Sequence, residues 1–117
     1  MNFQTVEKEL YSIVSSHVDK LNASNAPELK SVLIAINKKS INNIIIDLSN
    51  TSYCDSSGLT AILTANRLCK DSNGKFILVG LQKNVSKMIS IAQLDRVFTI
   101  LDSLETAEEQ IIIKDLS

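Results

Sequence analysis

The chain has 117 residues, 44% of them hydrophobic and 4% aromatic, so a single α/β domain over residues 1–117 with an Ile, Leu, Val and Ala core is expected. Its 12 basic and 13 acidic residues nearly cancel, and the cations are scattered, which argues against direct binding to nucleic acid or an anionic membrane. No apolar run approaches the roughly 18 residues of a membrane span, and the first residues lack a signal-peptide pattern, so a cytoplasmic protein without membrane insertion is expected.

The segment from Phe3 to about Val18 alternates in places and reads as two short strands, with a turn near Glu7-Lys8-Glu9-Leu10. Asp19 to Ala26 is polar and reads as a loop. Pro27 suits an early helical position, and Leu29, Val32, Leu33 and Ile36 follow at helical spacing. Ile44-Ile45-Ile46-Asp47-Leu48 lacks the alternation of a half-exposed strand and reads as a strand buried on both faces. Strand, loop, helix and strand in that order form a crossover unit, which implies parallel pairing.

Asp55 stands where a helix N-cap should stand, with Ser56, Ser57 and Gly58 in the first turn. Leu59, Ile62, Leu63, Leu68 and Cys69 then fall close to one face, and Ser72-Asn73-Gly74 ends the helix, with Gly74 expected in the left-handed conformation. Phe76–Val79 is a second buried strand. Val85, Met88, Ile89 and Ala92 mark a short third helix, Val97–Ile100 a last strand, and a final helix from about Leu104 carries Ala107 and the Ile111–Ile113 cluster. The expected architecture is a mixed, mostly parallel sheet of about five strands with about four helices packed on it.

Two hydroxyls at the positive end of a helix, on a strand-to-helix loop, suit a residue that carries or receives a phosphate. A plain N-cap followed by small residues accounts for the same pattern. Asp47, at the carboxyl end of a buried strand, reads first as a loop-orienting acceptor. Cys54 and Cys69 have no metal-ligand spacing, and His17 has no companion for nucleophilic chemistry. There is no GxxxxGK[ST] loop, and the second glycine and base of a hydrolase elbow are missing. Neither an enzyme nor a cofactor or metal site is expected.

The run Ile44–Ser49 followed by Tyr53-Cys54-Asp55-Ser56-Ser57-Gly58-Leu59 resembles the signature of the STAS domain, as found in bacterial anti-sigma factor antagonists. Leu21–Leu29 is similar to the family's loop into its first helix, and Val85–Ile89 to its third helix; the similarity spans nearly the whole chain. The resemblance implies a partner-switching module. The unphosphorylated antagonist binds an anti-sigma factor that is also a serine kinase and so frees the sigma factor. Phosphorylation of the serine after the aspartate abolishes binding, and a serine phosphatase restores it. Carried over, the phosphoacceptor is Ser56, with Ser57 as the second choice, in a monomer or weak dimer.

Three positions depart from the family pattern. Asn22 stands where an aspartate is common, Thr60 where Gly or Ala is common, and Gln93 where a glycine usually precedes the last strand. The expected interface is Asp55, Ser56, Ser57 and Gly58, the exposed side of their helix at Thr60, Thr64 and Arg67, and the adjoining loop with Asn22, Ser24 and Asn25. The same fold also implies an alternative, a non-phosphorylated accessory subunit or regulator of an ABC-type lipid transport ATPase.

Overall fold

The structure is a computed structural model that describes residues 2–116, with side chains described through residue 113. Met1 and Ser117, included in the expected domain span, lie outside the described residues. The elements in order are β1 (Phe3–Glu7), β2 (Ser12–Ser16), β3 (Lys20–Leu21), α1 (Ala26–Lys38), β4 (Ile44–Asp47), β5 (Tyr53–Cys54), α2 (Ser56–Asp71), β6 (Phe76–Val79), α3 (Lys83–Ile91), a 3-10 turn (Leu94–Arg96), β7 (Thr99–Leu101) and α4 (Leu104–Leu116). The main sheet has the order β1-β2-β4-β6-β7; β1 is antiparallel to β2, and the other pairings are parallel.

The uninterrupted apolar run of β4 follows from its central place. Ile45 aligns with Ile13 of β2 and Ile77 of β6, while Ile46 aligns with Val14 and Leu78. Adjacent residues on a strand point to opposite faces, so both faces must be covered. One face packs against Leu29, Leu33 and Ile36 of α1, Leu59, Ala61 and Ile62 of α2, and Val85 and Ile89 of α3. The other is covered by Ala107 and Ile111 of α4, together with Tyr11. The Tyr11 hydroxyl donates to the Glu108 carboxylate and ties α4 to the hairpin. Burial, the bond to Glu108 and that residue's charge push the Tyr11 phenol up to about 12.

Three local expectations need correction. The polar stretch 19–26 is not all loop, because β3 pairs in parallel with β5 as a separate two-stranded ribbon. At the end of α2 the left-handed residue is Asn73, with φ 59°, and not Gly74. The Gly74 N–H reaches back to the Cys69 carbonyl at 2.7 Å and the Asn73 N–H to that of Lys70 at 3.2 Å, which satisfies the last turn. Gly74 is needed for a different reason: a Cβ there would lie 1.9 Å from the Asn42 carbonyl oxygen. The last strand begins at Thr99, because the Val97 and Phe98 N–H groups both bond to the Leu94 carbonyl and so extend the turn. Of the Ile111–Ile113 cluster, Ile111 is buried and Ile112 and Ile113 are exposed, since three consecutive helical residues cannot share one buried face.

Gln93 precedes that 3-10 turn in the left-handed region, at φ 61° and ψ 25°. Its β-carbon is strained there, which explains why glycine suits the position. Gln93→Gly is therefore expected to stabilise the chain by about 0.5–1 kcal/mol, partly offset by the entropy of an unfolded glycine. Thermal unfolding followed by circular dichroism should show Tm rising by roughly 2–5 °C; a fall would mean that the Gln93 side chain contributes more than its backbone costs.

Candidate functional site

The site is built by the small β3–β5 ribbon at the carboxyl end of the main sheet. β3 continues from β2 and β5 from β4, and the ribbon pairs Lys20 with Tyr53 and Leu21 with Cys54. The approach is stitched by hydrogen bonds. Buried Thr51 donates to the Val18 carbonyl at 2.8 Å and shares a 2.7 Å bond with buried Ser16. The Ser52 and Tyr53 N–H groups donate to the Asp19 carbonyl at 2.8 and 3.2 Å, and the Ser52 hydroxyl to the Asp19 carboxylate at 2.5 Å. The Asp55 N–H then donates to the Leu21 carbonyl at 3.1 Å.

Asp55 is the N-cap of α2: its backbone is extended, and its Oδ1 accepts from the Gly58 N–H at 3.0 Å. A capping carboxylate of this kind contributes about 1 kcal/mol. Ser56 opens the helix and is exposed, Ser57 is half-buried, and Gly58 is buried. A Cβ on Gly58 would lie 2.6 Å from Cys54 Sγ, 2.7 Å from the Leu21 carbonyl oxygen and 2.9 Å from Leu21 Cγ. The glycine thus lets the head of α2 sit directly on the ribbon.

The neighbouring loop is organised by its own side chains. The Asn22 N–H donates to Asn25 Oδ1 at 2.9 Å, and Asn25 Nδ2 donates to the Lys20 carbonyl at 2.9 Å. Asn22 Oδ1 accepts from the Ser24 N–H at 3.0 Å and from its hydroxyl at 2.6 Å. Asn22 is therefore a neutral turn-former, a common use of asparagine before a helix. Asn25 is the N-cap of α1 by position, although its side chain faces back to β3 and not to the helix.

The structure brings together Asn22, Ser24, Asn25, Asp55, Ser56, Ser57, Gly58 and Thr60. Thr60 is exposed, and its hydroxyl donates to the Ser56 carbonyl at 2.8 Å. Thr64 departs from expectation. It is only 8% exposed, with its hydroxyl turned onto the Thr60 carbonyl at 3.1 Å, because that side of α2 packs against α1. Arg67 is exposed on the same helix line as Ser56, but eleven residues along the helix place it about 16 Å away. Two residues not expected from sequence join the site: Tyr53, 41% exposed two residues before Asp55, and Lys30, which lines a groove with Ser57 and Thr60. Tyr53 was legible as an apolar residue flanking the motif; Lys30 becomes relevant only when α1 is seen beside α2.

Other candidates do not gather here. Cys54 and Cys69 are buried and unpaired, and burial pushes both thiols up to about 12, aided at Cys54 by the charge of Asp55. Such thiols stay protonated and unreactive near neutral pH. Asp47 Oδ1 accepts from the Ser49 N–H at 2.9 Å, which orients the loop after β4. His17 is exposed and faces Gln4. Among the described residues no cluster of His, Cys, Asp and Glu could hold a metal ion, and no helix is long and apolar enough to cross a membrane.

The family model for the STAS domain matches residues 4–107, and the chain belongs to that family. A candidate anti-sigma factor antagonist of Thermotoga maritima is 31% identical over 93 residues, which cover 79% of this chain and 82% of that one. The crystal structure of a candidate anti-sigma factor antagonist from the same organism superposes with a TM-score of 0.82 at 29% identity, covering 93% of each chain. The Bacillus cell fate determinant SpoIIAA in its phosphorylated form has the same fold, with a TM-score of 0.75 at 18% identity over 93% of this chain and 98% of that one.

The tight seat of Gly58 is open to a direct check. Gly58→Ala should destabilise the chain by about 1–3 kcal/mol, since the new methyl meets a backbone carbonyl as well as side chains. Urea unfolding should show the midpoint falling with an unchanged slope; wild-type stability would mean that the ribbon yields freely.

Proposed function

We propose that this chain is an anti-sigma factor antagonist that works by partner switching. Unphosphorylated, it binds an anti-sigma factor that is also a serine kinase, and the sigma factor is released. The observation that carries this reading is the exposed hydroxyl of Ser56 at the first position of α2, set on a loop that is fixed by its neighbours. The names of the relatives support the general role.

In the transfer step Ser56 Oγ attacks the γ-phosphorus of the kinase's ATP. The bond from that phosphorus to the β,γ-bridging oxygen breaks, ADP leaves, and the serine proton passes to a base on the kinase. A serine phosphatase later adds water, releasing orthophosphate and restoring the hydroxyl. The chain is a substrate in both steps, not a catalyst. The phosphate adds roughly −1.5 to −2 charge and three acceptor oxygens at the centre of the docking face. Asp55 already places one carboxylate there, so the modified surface repels a partner shaped for a neutral hydroxyl. Because the loop is held by Leu21, Asp19 and Thr51, the block is steric and electrostatic and leaves the fold intact. Ser57 is the lesser acceptor, since the residue is half-buried and lines the groove beside α1.

A chain phosphorylated at Ser56, or Ser56→Asp, should keep its circular dichroism spectrum and lose at least about 100-fold in affinity for the anti-sigma factor, the scale of a like-charge clash of several kcal/mol. Unfolding on phosphorylation, or unchanged affinity, would overturn the mechanism. Co-purification with an ABC-type ATPase while Ser56 stays unmodified would replace it with the accessory-subunit reading. Arg67→Glu tests how far the surface extends along α2. Calorimetric titration should show binding weakened about fivefold to tenfold with stability unchanged; unaltered binding would confine the interface to the head of the helix.

A further inference from the structure

A cleft opens at the far end of α2, where β6 and β7 begin, at the end of the sheet opposite Ser56. It measures about 620 Å³, within the range of small-molecule sites. Three cations from three different elements line it: Lys70 from the last turn of α2, Lys75 just before β6, and Arg96 from the 3-10 turn. Among the described residues no carboxylate lines it, and Asp71 and Asp95, the sequence neighbours of Lys70 and Arg96, lie outside the lining. Asn66 and Asn73 add two amides. Among the described residues, no hydrogen bond or ion pair engages the side chains of Lys70, Arg96, Asn66 or Asn73. The apolar part of the lining comes from buried Phe76 and Cys69 and from exposed Val97. Phe76 is fixed edge-on against Phe98, with ring centroids 5.8 Å apart.

We propose that this cleft is a binding site for a small organic anion, its charged group among Lys70, Lys75 and Arg96 and its apolar body against Phe76 and Val97. The chain as a whole has a net charge of −1, so the gathering of cations here is a local feature and not the by-product of a basic protein. The end of a helix that carries free carbonyls ordinarily disfavours an anion. Here the last turn of α2 is already satisfied: the Cys69 carbonyl accepts the Gly74 N–H at 2.7 Å, and the Lys70 carbonyl accepts the Asn73 N–H at 3.2 Å. The buried Cys69 thiol stays protonated and adds no negative charge. Arginine offers a planar fork that matches a phosphate or carboxylate, and the lysines add compact charge beside it. Because Phe76 is recessed, the cleft admits a ring or short chain and not the broad face of a protein. Lys70 lies fourteen residues along α2 from Ser56, roughly 21 Å, so physiological salt screens a charge in the cleft from the switch.

The test titrates the full chain with phenyl phosphate and with inorganic phosphate in about 150 mM salt, followed by proton–nitrogen NMR. Amide signals of residues 73–76 and 96–99 should shift and saturate, while those around Ser56 stay still. Phenyl phosphate should bind about fivefold more tightly than inorganic phosphate, because its ring leaves water. K70Q and R96Q should each weaken phenyl phosphate about threefold to fivefold, and K83Q, on α3 outside the cleft, should leave it unchanged. Lys70, Lys83 and Arg96 are exposed, so circular dichroism should show all three variants folded. Ser56→Asp should bind phenyl phosphate as the parent does, which keeps the outcome independent of partner switching. Shifts scattered over lysines throughout the chain, equal affinity for the two probes, or undiminished binding by a folded K70Q/R96Q double variant would each overturn the inference.

Discussion

The carbonyl of Leu21 is the point on which both loops of the site depend. It accepts the Asp55 N–H at 3.1 Å, and it is one of the atoms that leave no space for a Cβ on Gly58. One side of this contact is a two-residue strand, and the other is the head of a sixteen-residue helix. Displacing the helix would break the ribbon pairing, release the Asp55 cap and open the packing at Cys54 together. Each of those bonds is worth only about 1 kcal/mol, but a shift of the loop loses several at once. Ser56 is therefore placed by its backbone and the packing beneath it, and its hydroxyl makes no hydrogen bond among the described residues.

That arrangement bears on how the proposed switch would work. A phosphate placed next to a capping carboxylate experiences repulsion, and a soft loop would relieve it by moving. Here the repulsion has no such outlet, so it is directed outward into any surface that tries to dock. Asp55 cannot yield without uncapping α2, and Gly58 cannot shift toward the ribbon. In the proposed mechanism, this rigidity is what turns a local charge into a change of partner.

Much of this could be read from residues alone. Ile44–Ile46 demanded a strand with both faces covered, and Asp55 followed by small residues demanded a capped helix; both are local rules with few competitors. What escaped was long-range. Lys20 and Leu21 are too few for any periodicity to show, and they form a strand only because Tyr53 and Cys54 lie beside them. The sequence puts Thr64 with Thr60 and Arg67 on the exposed side of α2, yet the packing of α1 on α2 buries it and its hydroxyl bonds within its own helix. Asn73, not the glycine beside it, takes the left-handed turn because asparagine tolerates that conformation, while Gly74 is needed where Asn42 crosses. In each case the missing information was the identity of a neighbour distant in sequence.

The same distinction governs the electrostatics. A net charge of −1 over 117 residues gives no field to steer a partner, and adding a phosphate hardly changes that global picture. At the head of α2 the count is different. Asp55 and Lys30 roughly cancel, and Asn22 holds its turn through hydrogen bonds without adding a carboxylate. A dianion there converts a locally neutral face into one with about two negative charges. An aspartate at position 22 would have made the same loop negative from the start and the phosphate's increment less decisive. In the proposed switch, the neutral asparagine thus leaves the contrast between the two states to Ser56 alone.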